Sequence, residues 1–155
     1  MPYYLLLTAI EKKRCVLVKY ILKSGYLHYV NNYGTHPLTH ACCFGDVKIV
    51  KLLINKYKEN ISGCDLIDAC KHDNADVVEL LLDKGVDPNY EVNLPLHIAA
   101  ENGNVDIINL LIKYGAYVGI NSSVLLTAAS NYNIEATKLI IKNIQCNCCR
   151  KRKRS

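Results

Sequence analysis

The sequence predicts an all-α solenoid in which about five similar pairs of short helices stack on one another. The first observation is an alanine that recurs at spacings of 32, 28, 30 and 29 residues: Ala9, Ala41, Ala69, Ala99 and Ala128. The second is that apolar residues fall at helical spacing in two short segments of each unit. The third is that turn-forming residues recur at fixed offsets from these alanines. Repetition at such a period is typical of stacked helical repeats.

The repeat is clearest over residues 94–116, with a close copy at 36–54 and a weaker one at 65–85. Helices of about 8 to 10 residues are marginal alone in water because nucleation is costly. We therefore expect each helix pair to be stabilised by its neighbours. The predicted repeat domain covers residues 1–144, with repeats at about 3–30, 33–61, 62–90, 91–119 and 120–144.

Prolines and glycines mark the ends of the predicted first helices. Pro37 and Pro95 lie where a helix begins, since the first turn does not need their missing N–H. Gly45 and Gly103 lie where the chain must reverse through a left-handed residue. The same position is occupied by other residues in the remaining repeats: Lys13, Asp73 and Tyr132. Aspartate tolerates this conformation better than lysine or tyrosine, so the terminal repeats are the least regular.

Residues 94–100, Leu-Pro-Leu-His-Ile-Ala-Ala, resemble the Thr-Pro-Leu-His-x-Ala-Ala signature of the ankyrin-repeat family. Residues 84–87 and 114–116 resemble that family's Gly-Ala-Asp turn. The resemblance extends over about residues 3–144. The spacing falls short of the family's usual length of about 33 residues, and the shortfall lies before Pro95, where the resemblance implies a projecting β-turn finger. We expect shortened fingers, similar to those of short ankyrin-repeat proteins of large DNA viruses of the poxvirus or giant-virus type.

The resemblance implies a protein–protein interaction scaffold that binds a partner protein through a concave face, formed by the fingers and the exposed side of each first helix. If the chain is viral, its partners would be host proteins that it modulates. Transfer by register selects eight residues: Cys43, Phe44, Lys71, His72, Glu101, Asn102, Ser130 and Asn131. Phe44 either anchors a partner side chain or covers its own helix pair. We expect a monomer with no enzymatic activity, cofactor or metal.

Two groups of side chains that could take part in catalysis are interpreted as structural. His97 follows the Pro-Leu of the signature, where the family's histidine hydrogen-bonds the adjoining turn. His40, Cys42 and Asp46 could form a nucleophile with its base, but Cys42 takes the same inward position as Cys70 and is interpreted as a buried thiol.

The eight cysteines favour a reducing compartment. Cys15 and Cys64 align with apolar residues of the clearest repeat, so we expect most of these thiols to be packed in the core. A chain of 155 residues that is 50% hydrophobic needs no disulfide framework. No apolar run is long enough to span a membrane. The predicted location is intracellular, in the cytoplasm or nucleus, of a host cell if the chain is viral.

The net charge of +5 comes from the C-terminal segment. Removing the basic residues 150–154 leaves 14 Lys and Arg against 14 Asp and Glu. Residues 145–155 are predicted to be a disordered basic tail. Its cations, Arg150, Lys151, Arg152, Lys153 and Arg154, suit a nuclear import signal, nucleic-acid phosphates or anionic lipid. Its cysteines, Cys146, Cys148 and Cys149, suit lipidation beside a basic run or, less well, metal binding.

Two interpretations of the tail's contribution stay open. In the alternative to the scaffold function, the tail directs binding to nucleic acid or a membrane surface and the repeats contribute little. In the other, the tail is only a solvated segment that keeps the chain soluble.

Overall fold

A computed structural model describes residues 2–24, 36–56, 61–119 and 123–152, with side chains as far as 144. Over these residues the chain forms helices and no strand, which confirms the predicted all-α class. The helices are α1 (Pro2–Glu11), α2 (Cys15–Lys23), α3 (Pro37–Phe44), α4 (Val47–Lys56), α5 (Gly63–Lys71), α6 (Ala75–Asp83), α7 (Tyr90–Asn102), α8 (Val105–Lys113), α9 (Ser123–Ser130) and α10 (Ile134–Arg152).

The chain divides into two compact units, residues 1–86 and 87–155. In the first unit the pairs α1–α2, α3–α4 and α5–α6 stack so that α3 lies against both α1 and α5, and α4 against both α2 and α6. In the second unit α7 packs against α8 and α9, and α10 packs against α8 and α9. Each unit therefore repeats the same contact of one helix pair with the next.

The core of each unit is made of residues that occupy equivalent positions in successive repeats. In the first unit these are leucine and alanine of the first helices, all at most 2% exposed: Leu6, Ala9, Leu38, Ala41, Leu66 and Ala69. In the second unit Leu96, Ala99 and Ala128 take the same positions and are fully buried. Burying one leucine contributes roughly 1.5 to 3 kcal/mol gross. The stacked leucines therefore supply the stability that a short helix lacks on its own.

The turn between the two helices of every pair passes through a left-handed residue. The five residues have φ between 51° and 72°: Lys13, Gly45, Asp73, Gly103 and Tyr132. The register predicted from the alanine spacing is thus confirmed in all five repeats. The left-handed conformation costs a residue with a side chain about 1 to 2 kcal/mol. Lys13 and Tyr132 adopt it nevertheless, because packing of the two helices fixes the turn.

In each unit an asparagine after this turn links one helix pair to the first helix of the preceding pair. In the first unit, Nδ2 of Asn74 donates to the carbonyl oxygens of Cys42 at 2.7 Å and Cys43 at 2.9 Å. These carbonyls belong to the last turn of α3, where they have no partner within the helix. In the second unit Nδ2 of Asn133 donates in the same way to the carbonyls of Ala100 and Glu101.

Glycine is required at position 45 for a second reason besides its φ of 70°. A Cβ atom there would overlap the side-chain amide of Asn74. Gly103 stands in the same relation to Asn133 in the second unit. The glycine therefore lacks a side chain at the point where the amide of the linking asparagine, from the following helix pair, must fit.

The segment before Pro95 contains no strand, as expected for a shortened finger. Glu91, Val92 and Asn93 are all left-handed, so right-handed helix begins at Leu94 and Pro95 lies in its first turn, as predicted. Nδ2 of Asn93 donates to the carbonyl of residue 117 at 2.7 Å, which ties this short turn to the following one.

The last helix is longer than the sequence analysis expects. The prediction placed a boundary at 144 and a disordered tail from 145, whereas the backbone of α10 continues through residues 145–152. Neither glycine nor proline occurs after residue 119. Lysine, arginine and glutamine have good helix propensity, so no local signal ends the helix at 144.

The cysteines divide into buried and accessible thiols. Cys42 and Cys70 are fully buried, as predicted, and burial raises the pKa of the Cys70 thiol to about 12. Cys15 is partly buried. The prediction that Cys64 packs in the core is wrong, because this residue is exposed at the start of α5. None of the cysteines at 15, 42, 43, 64 and 70 forms a disulfide.

Replacing Asn74 with alanine should lower the free energy of unfolding by about 1 to 3 kcal/mol, since two part-buried carbonyls lose their donor. Urea denaturation followed by circular dichroism measures this. Asn55→Ala, at an exposed position of α4, is the matched control and should leave stability unchanged or slightly raised. Equal stability of the two variants would contradict the linking role of Asn74.

Alkylation with iodoacetamide at about pH 8 should modify Cys64 more than about tenfold faster than Cys42 or Cys70 in the folded chain, since reaction requires an accessible thiolate. Burial raises the pKa of both buried thiols. Peptide mapping by mass spectrometry gives the three rates. In urea the difference should disappear, and comparable rates in the folded chain would show that these thiols are not core residues.

Candidate protein-binding surface

Four of the predicted binding residues lie at the ends of two neighbouring helices in the first unit. Cys43 and Phe44 end α3, Lys71 ends α5, and His72 follows it. Because α3 packs against α5 and the charge of Lys71 acts on the Cys43 thiol, the two helix ends lie side by side. We call these four residues, with His40 and Asp68, the α3–α5 surface. Phe44 is partly exposed there, while Lys71 and His72 are exposed.

Phe44 is held by a chain of contacts that reaches back to α1. Its ring lies 4.9 Å from the imidazole of His40 between centroids, at an angle of 53°. Nε2 of His40 lies 3.2 Å from Oε1 of Glu11. Since His40 precedes Phe44 by one helical turn, the contact follows from their i, i+4 spacing. His40 was not predicted as part of this surface, although the four-residue spacing of His40 and Phe44 can be read from the sequence.

The polar part of the α3–α5 surface is an ion pair along α5. Nζ of Lys71 lies 3.3 Å from Oδ1 of Asp68, and the Lys71 side chain is 54% exposed. Such an exposed pair contributes at most about 0.5 kcal/mol to stability. Asp68 was not among the predicted binding residues.

Cys43 contributes less to this surface than predicted. It is partly buried, and its Sγ donates to the carbonyl of Thr39 at 3.4 Å. Burial, followed by the negative charge of Asp68, raises the pKa of the thiol. The thiol is thus protonated and packed along its own helix, so it offers a partner no thiolate.

The other four predicted residues belong to the second unit. Glu101 and Asn102 end α7, Ser130 ends α9, and Asn131 follows it, and all four are exposed. Nδ2 of Asn131 donates to the carbonyl of Thr127 at 2.9 Å, so this amide caps its own helix. These residues form a polar surface at the ends of two packed helices, without an aromatic group.

His97 has a structural role, as predicted, but with other partners than the resemblance implies. Its Nε2 lies 3.0 Å from Oγ of Ser123 and its Nδ1 3.5 Å from Oγ1 of Thr127, both on α9. In the first unit the equivalent residue, Thr39, donates to Oδ1 of Asp65 on the next first helix at 2.7 Å. This position links consecutive first helices and is not part of a reactive site.

The arrangement of His40, Cys42 and Asp46 does not suit nucleophilic catalysis. Cys42 is fully buried, and burial raises the pKa of its thiol. Oδ1 of Asp46 accepts the backbone N–H groups of residues 48 at 2.9 Å and 49 at 3.2 Å, which caps α4. Each of the three side chains is therefore committed to a separate structural contact.

Two further properties concern the part of the chain whose side chains are described. No three His, Cys, Asp or Glu side chains are grouped there so as to hold a metal ion. Among the helices described there, none is both long and apolar enough to cross a membrane. The predicted tail residues lie outside the described side chains: Cys146, Cys148, Cys149, Arg150, Lys151, Arg152, Lys153 and Arg154.

Family models match the repeats identified above. A model for three copies of the ankyrin repeat matches residues 63–122, and a model for a single ankyrin repeat matches residues 33–65. The two matches together span 33–122, which includes the α3–α5 surface. Ankyrin repeats in general mediate protein–protein interaction.

Curated relatives include viral proteins of the kind that the sequence suggested. An ankyrin repeat protein of fowlpox virus is 26% identical, over 92% of this chain and 29% of its own length. One from Acanthamoeba polyphaga mimivirus is 30% identical, over 86% of this chain and 23% of its own. Protein fem-1 homolog C of Xenopus laevis is 44% identical over 35% of the chain and 9% of its own length.

The chain spans less than a third of the length of the two viral relatives. The likeness to them nevertheless extends over most of this chain, and the family models match its central repeats. Together with the stacked helix pairs and their left-handed turns, these matches show that the chain belongs to the ankyrin-repeat family.

Proposed function

We propose that this chain is an interaction scaffold that binds a partner protein through the α3–α5 surface, with Phe44 as the anchor. The observation that carries the proposal is the support of a partly exposed aromatic ring by His40, itself held by Glu11. A ring fixed in this way loses little conformational entropy when a partner covers it. Aromatic anchors of this kind dominate the energy of many protein interfaces.

The charges around Phe44 favour a partner that presents both an apolar group and polar groups. Lys71 and Asp68 offer one cation and one anion within the same helix turn, so an interface centred on Phe44 would have a polar rim. The exposed residues at the ends of α7 and α9 would add a second, purely polar contact in the second unit.

The viral relatives support a further part of the proposal, that the partner is a host protein whose activity the chain modulates. The reduced thiols at 15, 42, 43, 64 and 70 favour a reducing compartment, such as the cytoplasm or nucleus of the host cell. We propose that the chain acts as a monomer and without enzymatic activity.

Phe44→Ala should reduce the amount of captured partner at least about tenfold, because the anchor of the interface is removed. Full-length chain is used as bait in extract of a candidate host cell, and retained proteins are quantified by mass spectrometry. Lys71→Glu should weaken capture of the same proteins. Tyr117→Ala and Lys84→Glu repeat these changes at exposed positions outside the surface and serve as matched controls.

Circular dichroism of each variant separates a lost interface from a lost fold. The proposal fails if both folded surface variants capture the partner as well as wild type does. Substitution of residues 150–154 by glutamine tests the alternative. If that change abolishes capture while Phe44→Ala does not, the basic tail is the main binding element.

A further inference from the structure

The first repeat departs from the others at one exposed position of its second helix. The second residue of that helix is charged in every other repeat: Lys48, Asp76, Asp106 and Glu135. In α2 this residue is Val16, which is 84% exposed. In the other four repeats this position is exposed to water, and the residue there is charged. Valine in its place indicates that the outer side of α2 meets something other than water.

Two leucines of the first repeat occupy positions that are covered in the later repeats. Leu17 is 38% exposed, whereas the equivalent Ile49 and Val77 are fully buried. Leu5 is 51% exposed, whereas the equivalent Asp65 is 1% exposed. In the second and third repeats a preceding helix pair lies against these helices. The first repeat therefore presents the face against which a preceding helix pair packs in the later repeats, and no described residue covers it there.

Val16 and Leu17 line an open groove along α2. Its walls are formed by six residues: Lys13, Arg14, Cys15, Val16, Leu17 and Tyr20. Val16 and Tyr20 are one helical turn apart, and Leu17 lies beside them on the same face. Tyr20 is 71% exposed. We call this the α2 groove.

The rim of the α2 groove is strongly basic. Five exposed cations lie in or next to α2: Lys12, Lys13, Arg14, Lys19 and Lys23. Glu11 is the acidic residue in 2–24, and its carboxylate is engaged by His40. On α2, Lys19 and Lys23 lie along one side of the face that carries Val16 and Tyr20. An occupant must therefore combine an apolar stripe with negative charge.

We propose that the α2 groove binds an amphipathic, acidic helix of a partner protein, at a site separate from the α3–α5 surface. The shape argument comes from Leu5 and Leu17, whose equivalents Asp65, Ile49 and Val77 are buried in the later repeats, where a preceding helix pair packs. The charge argument comes from the basic rim, which complements glutamate and aspartate beside the apolar stripe.

Self-association through this groove is disfavoured by charge. The other exposed apolar residues on a described helix end include Ile134 and Ile141 on α10. Residues 134–142 carry Lys138 and Lys142 against Glu135, so they bring further positive charge to a basic rim. An acidic helix from another protein is the better complement.

Fluorescence anisotropy with the full-length chain tests the proposal. The probe is a labelled helix-forming peptide of about 20 residues made of Glu, Ala and Leu, with leucines at i, i+3, i+4 and i+7. Saturable binding is expected, and Val16→Glu should weaken it at least about tenfold, since an acidic residue then lies in the groove. The same peptide with lysine in place of glutamate should not bind.

Val16→Glu should keep the fold, because the other repeats carry a charge at this position and an acidic residue suits the first turn of a helix. Val92→Glu makes the same change at a residue 93% exposed in the second unit and should leave peptide binding unchanged. Urea denaturation of both variants verifies that they are folded.

Three outcomes would overturn the proposal. The first is no saturable binding of the acidic peptide, or equal binding by wild type and folded Val16→Glu. The second is co-sedimentation with phosphatidylserine vesicles that Val16→Glu abolishes while the peptide does not bind, which would assign the groove to a membrane surface. The third is a dimer in analytical ultracentrifugation that Val16→Glu dissociates, which would assign it to a second copy of the chain.

Discussion

Stacking of one short helix pair on the next is the interaction on which the rest of this structure depends. Eight of the ten helices that the structure describes are 8 to 10 residues long, too short to be stable alone. Within each unit, leucines and alanines at equivalent positions fill the space between pairs. An asparagine from one pair then satisfies the last carbonyls of the preceding first helix, as Asn74 does for Cys42 and Cys43. The left-handed turn that places this asparagine is kept even where its residue is lysine or tyrosine.

The same constraint determines where the chain can bind. Inward positions are taken up by stacking, and buried groups such as Cys42 and Asp65 are committed to packing or hydrogen bonds. Side chains at the ends of the first helices, Phe44 and Lys71 among them, are not used for stacking and can serve recognition. The α2 groove arises differently. Leu17 belongs to the stacking face of the first repeat and is exposed because no described helix lies against it, whereas Val16 takes a position that carries an exposed charged residue in every other repeat.

Much of the fold could be predicted because repetition makes each position comparable with its equivalents. The alanine spacing set the register, and the register located the left-handed residue between the two helices of each pair. What it could not supply were contacts that differ between repeats. Cys64 aligns with a partly buried leucine and yet is exposed. His97 bonds hydroxyls on α9, whereas Thr39 at the equivalent position bonds a carboxylate on α5. The support of Phe44 by His40 lay in their spacing, but the role of Glu11 required knowledge of how α1 meets α3.

The dependence of each pair on its neighbours is tested most directly with a synthetic peptide of residues 36–56, which contains α3 and α4 and the turn between them. Circular dichroism near 222 nm compares its helix content with that of the same segment in the whole chain. If stacking stabilises the pair, the isolated peptide is largely unfolded in water at 25 °C. A peptide as helical alone as α3 and α4 are in the structure would contradict this, because the pair would then need no neighbour.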